Sequence, residues 1–365
     1  MNTSALNPAD LLTGTANRLI IQATLKPVAG KTRFQPAGFP EIGHVIYDTP
    51  DGRKICIVDS AASMANHLET VCVNPFDQTL VAELSGLPYV QCVTGDNKDK
   101  LVVTSLSEGH RLASSYFLEG RRLGSNNEPA EKTFGEELRD DPKNFGLRNL
   151  EKKTHPLPEQ WWNVFRTIFR YDPNSLVHGI MFPAFGIKLP RILTAALEAF
   201  NAARVATSGV KFDKLGKTNS GQPIFSKDEE TSSEIRATFV IDLSLIRSFG
   251  RKDDKGLNAK QKELLLGLAL WKIGRLLGSS FRFRSECDLE LDTLTIDGVD
   301  SNVSSLNIAI GDLINAAYSD QNQRITKVYW EADALFKPAK DEKASANSDA
   351  SDNDEASSDE NSDEE

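Results

Sequence analysis

Cations set beside aromatic rings are the most frequent chemical pattern in this chain. Lys31 and Arg33 stand next to Phe34 in KTRF, and His110 and Arg111 precede Tyr116 and Phe117 in HRLASSYF. Lys211, Lys214 and Lys217 punctuate KFDKLGK, Arg247, Arg251 and Lys252 surround Phe249, and FRFR alternates Phe281, Arg282, Phe283 and Arg284. Such interleaving suits single-stranded nucleic acid, because cations follow the phosphates while rings stack on bases. A solvated charged face with its rings turned into the core explains any one of these segments better. Five of them on one chain favour a shared surface.

Other chemistries find little support. Gly216-Lys217-Thr218 reads like the end of a phosphate loop, but position 211 is Lys where that loop needs Gly. NSGQP follows it, which breaks the helix the loop requires. There is no GxGxxG for a dinucleotide and no GxSxG nucleophile elbow. His44, His67, His110, His155 and His178 form neither HxH nor HExxH, so no metal site is indicated. A surface or structural role is the plainest reading of each His; His110 and His178 are the better candidates for phosphate. Cys56, Cys72, Cys92 and Cys287 are too scattered for a CxxC motif or a disulfide framework. No cofactor is expected.

Charge is distributed unevenly. The 365 residues carry 42 basic and 52 acidic side chains, a formal net charge of −10. Of these, 11 acidic residues and one Lys lie between Asp341 and Glu365, leaving a body with 41 of each sign. A uniformly basic nucleic-acid binder is excluded; a neutral body with one basic face is not. The tail has no apolar residue larger than Ala, so it is predicted to be disordered. It either screens a basic groove against wrong nucleic acids or simply solubilises the chain, and its composition favours the plainer role. The N-terminus lacks a basic segment followed by an apolar one, and the longest apolar run, near Leu264 to Trp271, falls short of the ~20 residues of a membrane span. These features suit a soluble, cytoplasmic chain of about two domains, or one elaborated domain.

Periodicity outlines the elements that must carry these residues. Leu19, Ile21, Ala23 and Leu25 alternate with Arg18, Gln22, Thr24 and Lys26, a strand with a partly basic outer face. A hairpin over VIY and ICIV follows, then a helix capped by Ser60 with Ala61, Met64, Ala65 and Leu68 on one face. LPYVQCV and KLVVTSL read as a strand pair. Residues 114–158 are polar and read as a protruding insertion outside the core. Ile192, Ala196, Ala199, Phe200 and Ala203 recur at helical spacing, which predicts a helix from Arg191 to Val205. Val210 to Phe225 reads as an extended hairpin. Ala237, Phe239, Ile241, Leu243 and Leu245 predict a strand over Arg236 to Ile246, and Asn258 caps a long helix ending at Leu277. Strands and helices interleave, so an α+β sheet is expected, with helices on one face and an open basic face, in an RRM-like layout.

The co-linear series RFQPAGFPEIG, SAASMANHLE, GLPYV, TSLSEGHRL, DPNSLVHGIMF, KLPRILTAALEAFNAA, SGVKFDKLG and FRFRSECDLE resembles the Cas-seven-type backbone subunit of type I-G (formerly I-U) CRISPR Cascade complexes. The resemblance runs from about Arg18 to Leu291. It implies an RRM-like (ferredoxin-like) palm over 15–67, 178–205 and 236–335, fingers over 68–177 and a thumb hairpin over 206–235; the acidic tail over 340–365 is no part of the family's pattern. It implies copies polymerised head to tail along a CRISPR RNA, guide segments left free to pair with a target DNA strand, and large and RNA-processing subunits as neighbours. No membrane is involved.

Within the matching motifs, Arg33, Phe34 and Gln35 fall in RFQ. Ser60, Ser63, Met64, Asn66 and His67 fall in the helix start. His110 and Arg111, His178, Lys188 and Arg191, and Arg282 and Arg284 fall in HR, HG, KxPR and RxR. With Lys31, Lys211, Lys214 and Lys217, these are the expected RNA-binding residues. Lys and Arg would neutralise phosphates; Ser60 and Ser63 would donate from the helix N-terminus. Met64 fits core packing equally well. The subunit is expected to be non-catalytic. Two other readings remain: an endoribonuclease using Asp59 with a metal, or His178 or His110 as acid/base, and a small-molecule enzyme, which would leave the basic hairpin unexplained.

Overall fold

The computed structural model describes residues 5–39, 42–147, 155–208, 227–251, 255–278, 280–318 and 325–331. Lys211, Lys214 and Lys217 and the acidic tail lie outside these residues. Strand β1 (Arg18–Pro27) buries Leu19, Ile21, Ala23 and Leu25, as their spacing predicts. The hairpin strand Ile46–Asp48 leads into β2 (Lys54–Asp59), which runs directly into helix α1 (Ala61–Thr70). The Ser60 hydroxyl caps α1 by accepting from the Ser63 N–H at 3.1 Å, and Met64, Ala65 and Leu68 are buried while Ala61 is exposed.

The helix predicted over Arg191 to Val205 is instead strand β3 (Leu193–Phe200) followed by Ala203–Ser208. Leu193, Ala195, Leu197 and Ala199 are buried, and the residues between them are at least partly exposed. A sequence this rich in Ala fits both periods. Hydrogen bonding to strands on both sides decides for the strand: β2 on one side and β4 (Glu234–Asp242) on the other. β4 stops short of the predicted Ile246, because the Asp242 carboxylate accepts from the Leu245 N–H at 2.9 Å and starts a short helix, Leu243–Ser248. Helix α2 (Ala259–Leu277) opens with a capping box between Asn258 and Gln261. Strands β5 (Phe281–Arg284) and β6 (Cys287–Ile296) follow.

These strands form an antiparallel sheet in the order β5-β6-β1-β4-β3-β2, with Ile46–Asp48 at the far edge and Val299–Ser301 beside β6. The four central strands, taken by their place in the chain, therefore stand fourth-first-third-second. α1 lies between the first and second, and α2 between the third and fourth. α1 packs on β3, and α2 packs on β4 and α1, so the apolar core lies between sheet and helices. The architecture is mixed α+β.

The opposite face is not the basic surface expected. Lys26 pairs with Asp292 at 3.1 Å, and Arg236 pairs with Glu234 at 2.7 Å while lying over the Phe200 ring. A carboxylate on the neighbouring strand or two residues along the same strand cancels each of these cations.

A second sheet joins Lys100–Thr104, Tyr89–Thr94, Ile325–Tyr329 and Arg121–Arg122. The predicted strand pair is present, and Ile325–Tyr329 completes the sheet beside Tyr89–Thr94. The segment 114–158 also contributes to the core: Phe117, Phe134, Leu138, Phe145 and Leu147 are buried. These apolar residues are spread singly among polar runs and meet only once short helices such as Phe134–Asp140 form. All four cysteines are buried and unpaired, and burial pushes the thiols up to about 11 at Cys72 and about 12 at Cys56, Cys92 and Cys287. No described helix is long and apolar enough to cross a membrane.

Candidate nucleic-acid interface

Gly179 sets the geometry of the site. The short helix Pro173–His178 ends there with φ at +77°, and a Cβ would meet the Leu189 carbonyl and the Arg191 backbone N at 3.0 and 3.1 Å. The chain can therefore fold back into the hairpin Ile180–Phe182 with Ile187–Leu189. This hairpin exposes Lys188 and brings Arg191 beside α1, where its Nη1 donates to the Ala61 carbonyl at 3.0 Å.

The segment from Glu108 to Tyr116 faces the hairpin across a groove of about 850 Å³. The groove gathers His110, Arg111, His178, Lys188 and Arg191. Its rim adds two apolar groups, Tyr116 and Met181, which are 39% and 55% exposed. Through Arg191 it adjoins the first turn of α1, where Ser60 and Ser63 sit. Asn66 lines a neighbouring cavity of about 470 Å³ that shares Glu108 and Gly109 with the groove.

A second group forms around Asp59, which is buried at the end of β2. Its carboxylate accepts from the Ser60 N–H at 3.1 Å and from Arg284 Nη2 at 2.8 Å, with His67 Nε2 at 3.2 Å. Arg284 also donates to the Val58 and Gln35 carbonyls at 2.8 and 3.3 Å. Gln35, Ser60, His67 and Arg284 are thus tied into one clamp, and His67 meets Phe283 edge-on at 4.8 Å.

Behind the groove runs a buried polar chain. Arg111 donates to both Glu69 oxygens at 2.6 and 2.7 Å, and Asn174 Nδ2 donates to Glu69 at 2.7 Å. Lys272, with no exposed surface, bonds Asn174 and reaches His178 Nε2 at 2.8 Å. An ammonium only donates, so Nε2 accepts and the neutral ring carries its proton on Nδ1. That Nδ1 has no partner among the described residues. Burial first, then the nearby charges of Lys272, Arg111 and Arg191, hold His178 well below the usual imidazole range. Asp172, also buried, is pushed up to about 6 by desolvation.

These two shifts have opposite consequences for stability. His178 is neutral in the fold, so below about pH 6.5 the unfolded chain binds more protons and stability falls as pH falls. Asp172 holds its proton up to about 6 in the fold, so between about pH 4 and 6 it contributes stability that is lost as pH rises. Thermal melts between pH 7 and 5 are expected to show a flatter decline for His178→Gln than for the wild type. Asp172→Asn is expected to steepen it, by up to about 1.4 kcal/mol per pH unit. Parallel curves for all three proteins would contradict the assignment.

Several expected contacts need correction. Phe34 and Met64 are in the core, at 1% and 0% exposure, and offer no surface to a base. The charge of Arg111 is committed to Glu69. His178 is also buried, in contact with Lys272 rather than solvent. Lys31, Arg33 and Arg282 are exposed but paired with Glu286, Glu229 and Asp288 at 3.3, 3.3 and 2.6 Å, and none lines the groove. No group of His, Cys, Asp and Glu among the described residues is arranged to hold a metal.

Residues 19–204 match the protein family described as CRISPR-associated protein GSU0053. Two solved structures are similar at low levels. One is the crystal structure of Thermofilum pendens Csc2, at 11% identity over 86% of this chain and 76% of that one, with a TM-score of 0.30. The other is a CRISPR RNA-guided surveillance complex in its pre-nicking state, at 11% identity over 76% and 77%, with a TM-score of 0.33. No curated protein matches the sequence.

Proposed function

The chain belongs to the GSU0053 family of CRISPR-associated proteins, and on that premise we propose that it is a CRISPR-RNA-binding backbone subunit of a type I-G Cascade complex. The observation that carries this reading is the groove, where Lys188 and Arg191 converge and Arg191 reaches the Ser60–Ser63 turn through the Ala61 carbonyl. Cations and helix N-terminal amides together form a sequence-independent grip on a phosphate backbone. Sequence readout is left to guide pairing with the target DNA strand. Copies join head to tail through a heterologous interface, which grows into a filament rather than closing.

The fourth-first-third-second strand order supports an RRM-like palm, with the second sheet in the fingers and residues 206–235, including Lys211, Lys214 and Lys217, as the thumb. Large and RNA-processing subunits are the other expected partners. The subunit acts without catalysis in this reading, since Asp59 is buried, with Arg284 and the Ser60 amide on its Oδ1 and His67 beside its Oδ2.

Fluorescence anisotropy of an RNA of ~40 nucleotides across a salt series tests this. The expected result is cooperative binding, intact RNA, and a log affinity that falls linearly with log salt, by about 0.7 per phosphate neutralised. Failure to bind at low salt, followed by failure to retain RNA on co-expression with a CRISPR RNA, would overturn it.

A further inference from the structure

The last described strand, Ile325–Tyr329, brings Trp330 to the edge of the groove. Trp330 Nε1 donates to the Tyr116 carbonyl at 2.7 Å, and Tyr116 is itself a groove residue. The exit is held from both sides: Trp330 N–H donates to the Val93 carbonyl at 3.0 Å, and its own carbonyl accepts from the Thr94 hydroxyl at 2.8 Å. Gly120 makes room for it, since a Cβ there would lie 2.7 Å from the indole nitrogen. Nine residues then separate Glu331 from Asp341, a reach of up to about 30 Å at roughly 3.3 Å per residue.

The charges complement each other. Lys188 and Arg191 line the groove with no carboxylate partner among the described residues. The one acidic residue in its wall, Glu108, is paired with His110 at 3.2 Å. The tail brings 11 carboxylates against one Lys. Carboxylates meet guanidinium and ammonium groups with the same charge-assisted geometry as phosphate oxygens. The tail has no apolar residue larger than Ala, so only its charge can dock.

We propose that the acidic tail of this chain occupies its own groove between His110 and Arg191 and competes there with nucleic acid. Tethering supplies an effective concentration on the order of millimolar. Weak, salt-screened contacts then suffice to exclude short stray RNA, while a long guide bound by several copies displaces the tail. The identity of the competitor rests on the RNA-binding reading; the docking itself does not.

Zero-length carbodiimide coupling of the full chain, mapped by mass spectrometry, tests the docking without RNA. Tail carboxylates are expected to join Lys188 in preference to Lys100 and Lys143, which are also exposed and also lack a carboxylate partner among the described residues, and Arg191→Glu or high salt should abolish that preference. In parallel, a 12-nucleotide uridine RNA is expected to bind a chain ending at Lys340 about tenfold tighter than the full chain at low salt, with the difference vanishing as salt rises. Coupling spread evenly over Lys100, Lys143 and Lys188 would overturn the docking, whatever RNA does. Preferential coupling with no gain in RNA affinity on truncation would overturn the competition. Preferential coupling when neither form binds any RNA would uphold the docking and sink the RNA-binding reading instead.

Discussion

Arg111→Ala is expected to destabilise the protein by about 3–5 kcal/mol, because it leaves Glu69 as an uncompensated buried charge. Both partners are nearly excluded from water, at 8% and 5% exposure, and the pair is bidentate at 2.6 and 2.7 Å. Asn174 accounts for only one further Glu69 contact, so it cannot replace a guanidinium. At roughly 2–4 °C per kcal/mol, the scale for large domains, the melting temperature should fall by about 6–20 °C. Removing both charges together is a different experiment. Glu69→Met with Arg111→Met should recover most of the loss, since well-packed apolar pairs often match buried ion pairs. A cost below about 1 kcal/mol for Arg111→Ala would show that the pair is solvated in solution, as surface pairs are.

That pair also shows where sequence reading stops. β1, α1 and α2 were legible because one period dominates each of them: alternation from Leu19 to Leu25, helical spacing around Met64 and Leu68, and a capped apolar run after Asn258. β3 was misread because Ala tolerates either period and only its neighbours β2 and β4 decide. The site was half legible. Lys188, Arg191 and His110 reach the groove, but their convergence depends on the turn at Gly179, which no local pattern announces.

The buried chain behind the groove did leave a trace. Glu69 continues the apolar face of Met64, Ala65 and Leu68, and Lys272 interrupts an apolar run in α2. A lone charge on a buried face must have a partner. What the sequence could not supply was the identity of that partner: Arg111 lies 42 residues from Glu69, and His178 lies 94 from Lys272. Phe34 went wrong for a related reason, since a ring beside cations looks the same whether it faces solvent or core, and here it faces the core.

The distinction between charges that are spent and charges that are available leads to the second large effect. Lys188→Ala with Arg191→Ala is expected to weaken RNA binding roughly 100-fold at low salt, taking two charge-assisted contacts at about 1.5 kcal/mol each. The slope of log affinity against log salt should shrink by about 1.4, the share of two phosphates on a single strand. Stability should change little, because Lys188 is exposed and Arg191 gives up a single hydrogen bond, to the Ala61 carbonyl. Lys31→Ala with Arg282→Ala removes the same formal charge from residues already paired with Glu286 and Asp288. If RNA follows the groove, that second double variant should leave the salt slope nearly unchanged. If both double variants weaken binding equally, RNA responds only to the net charge of the body, and the groove is not its path.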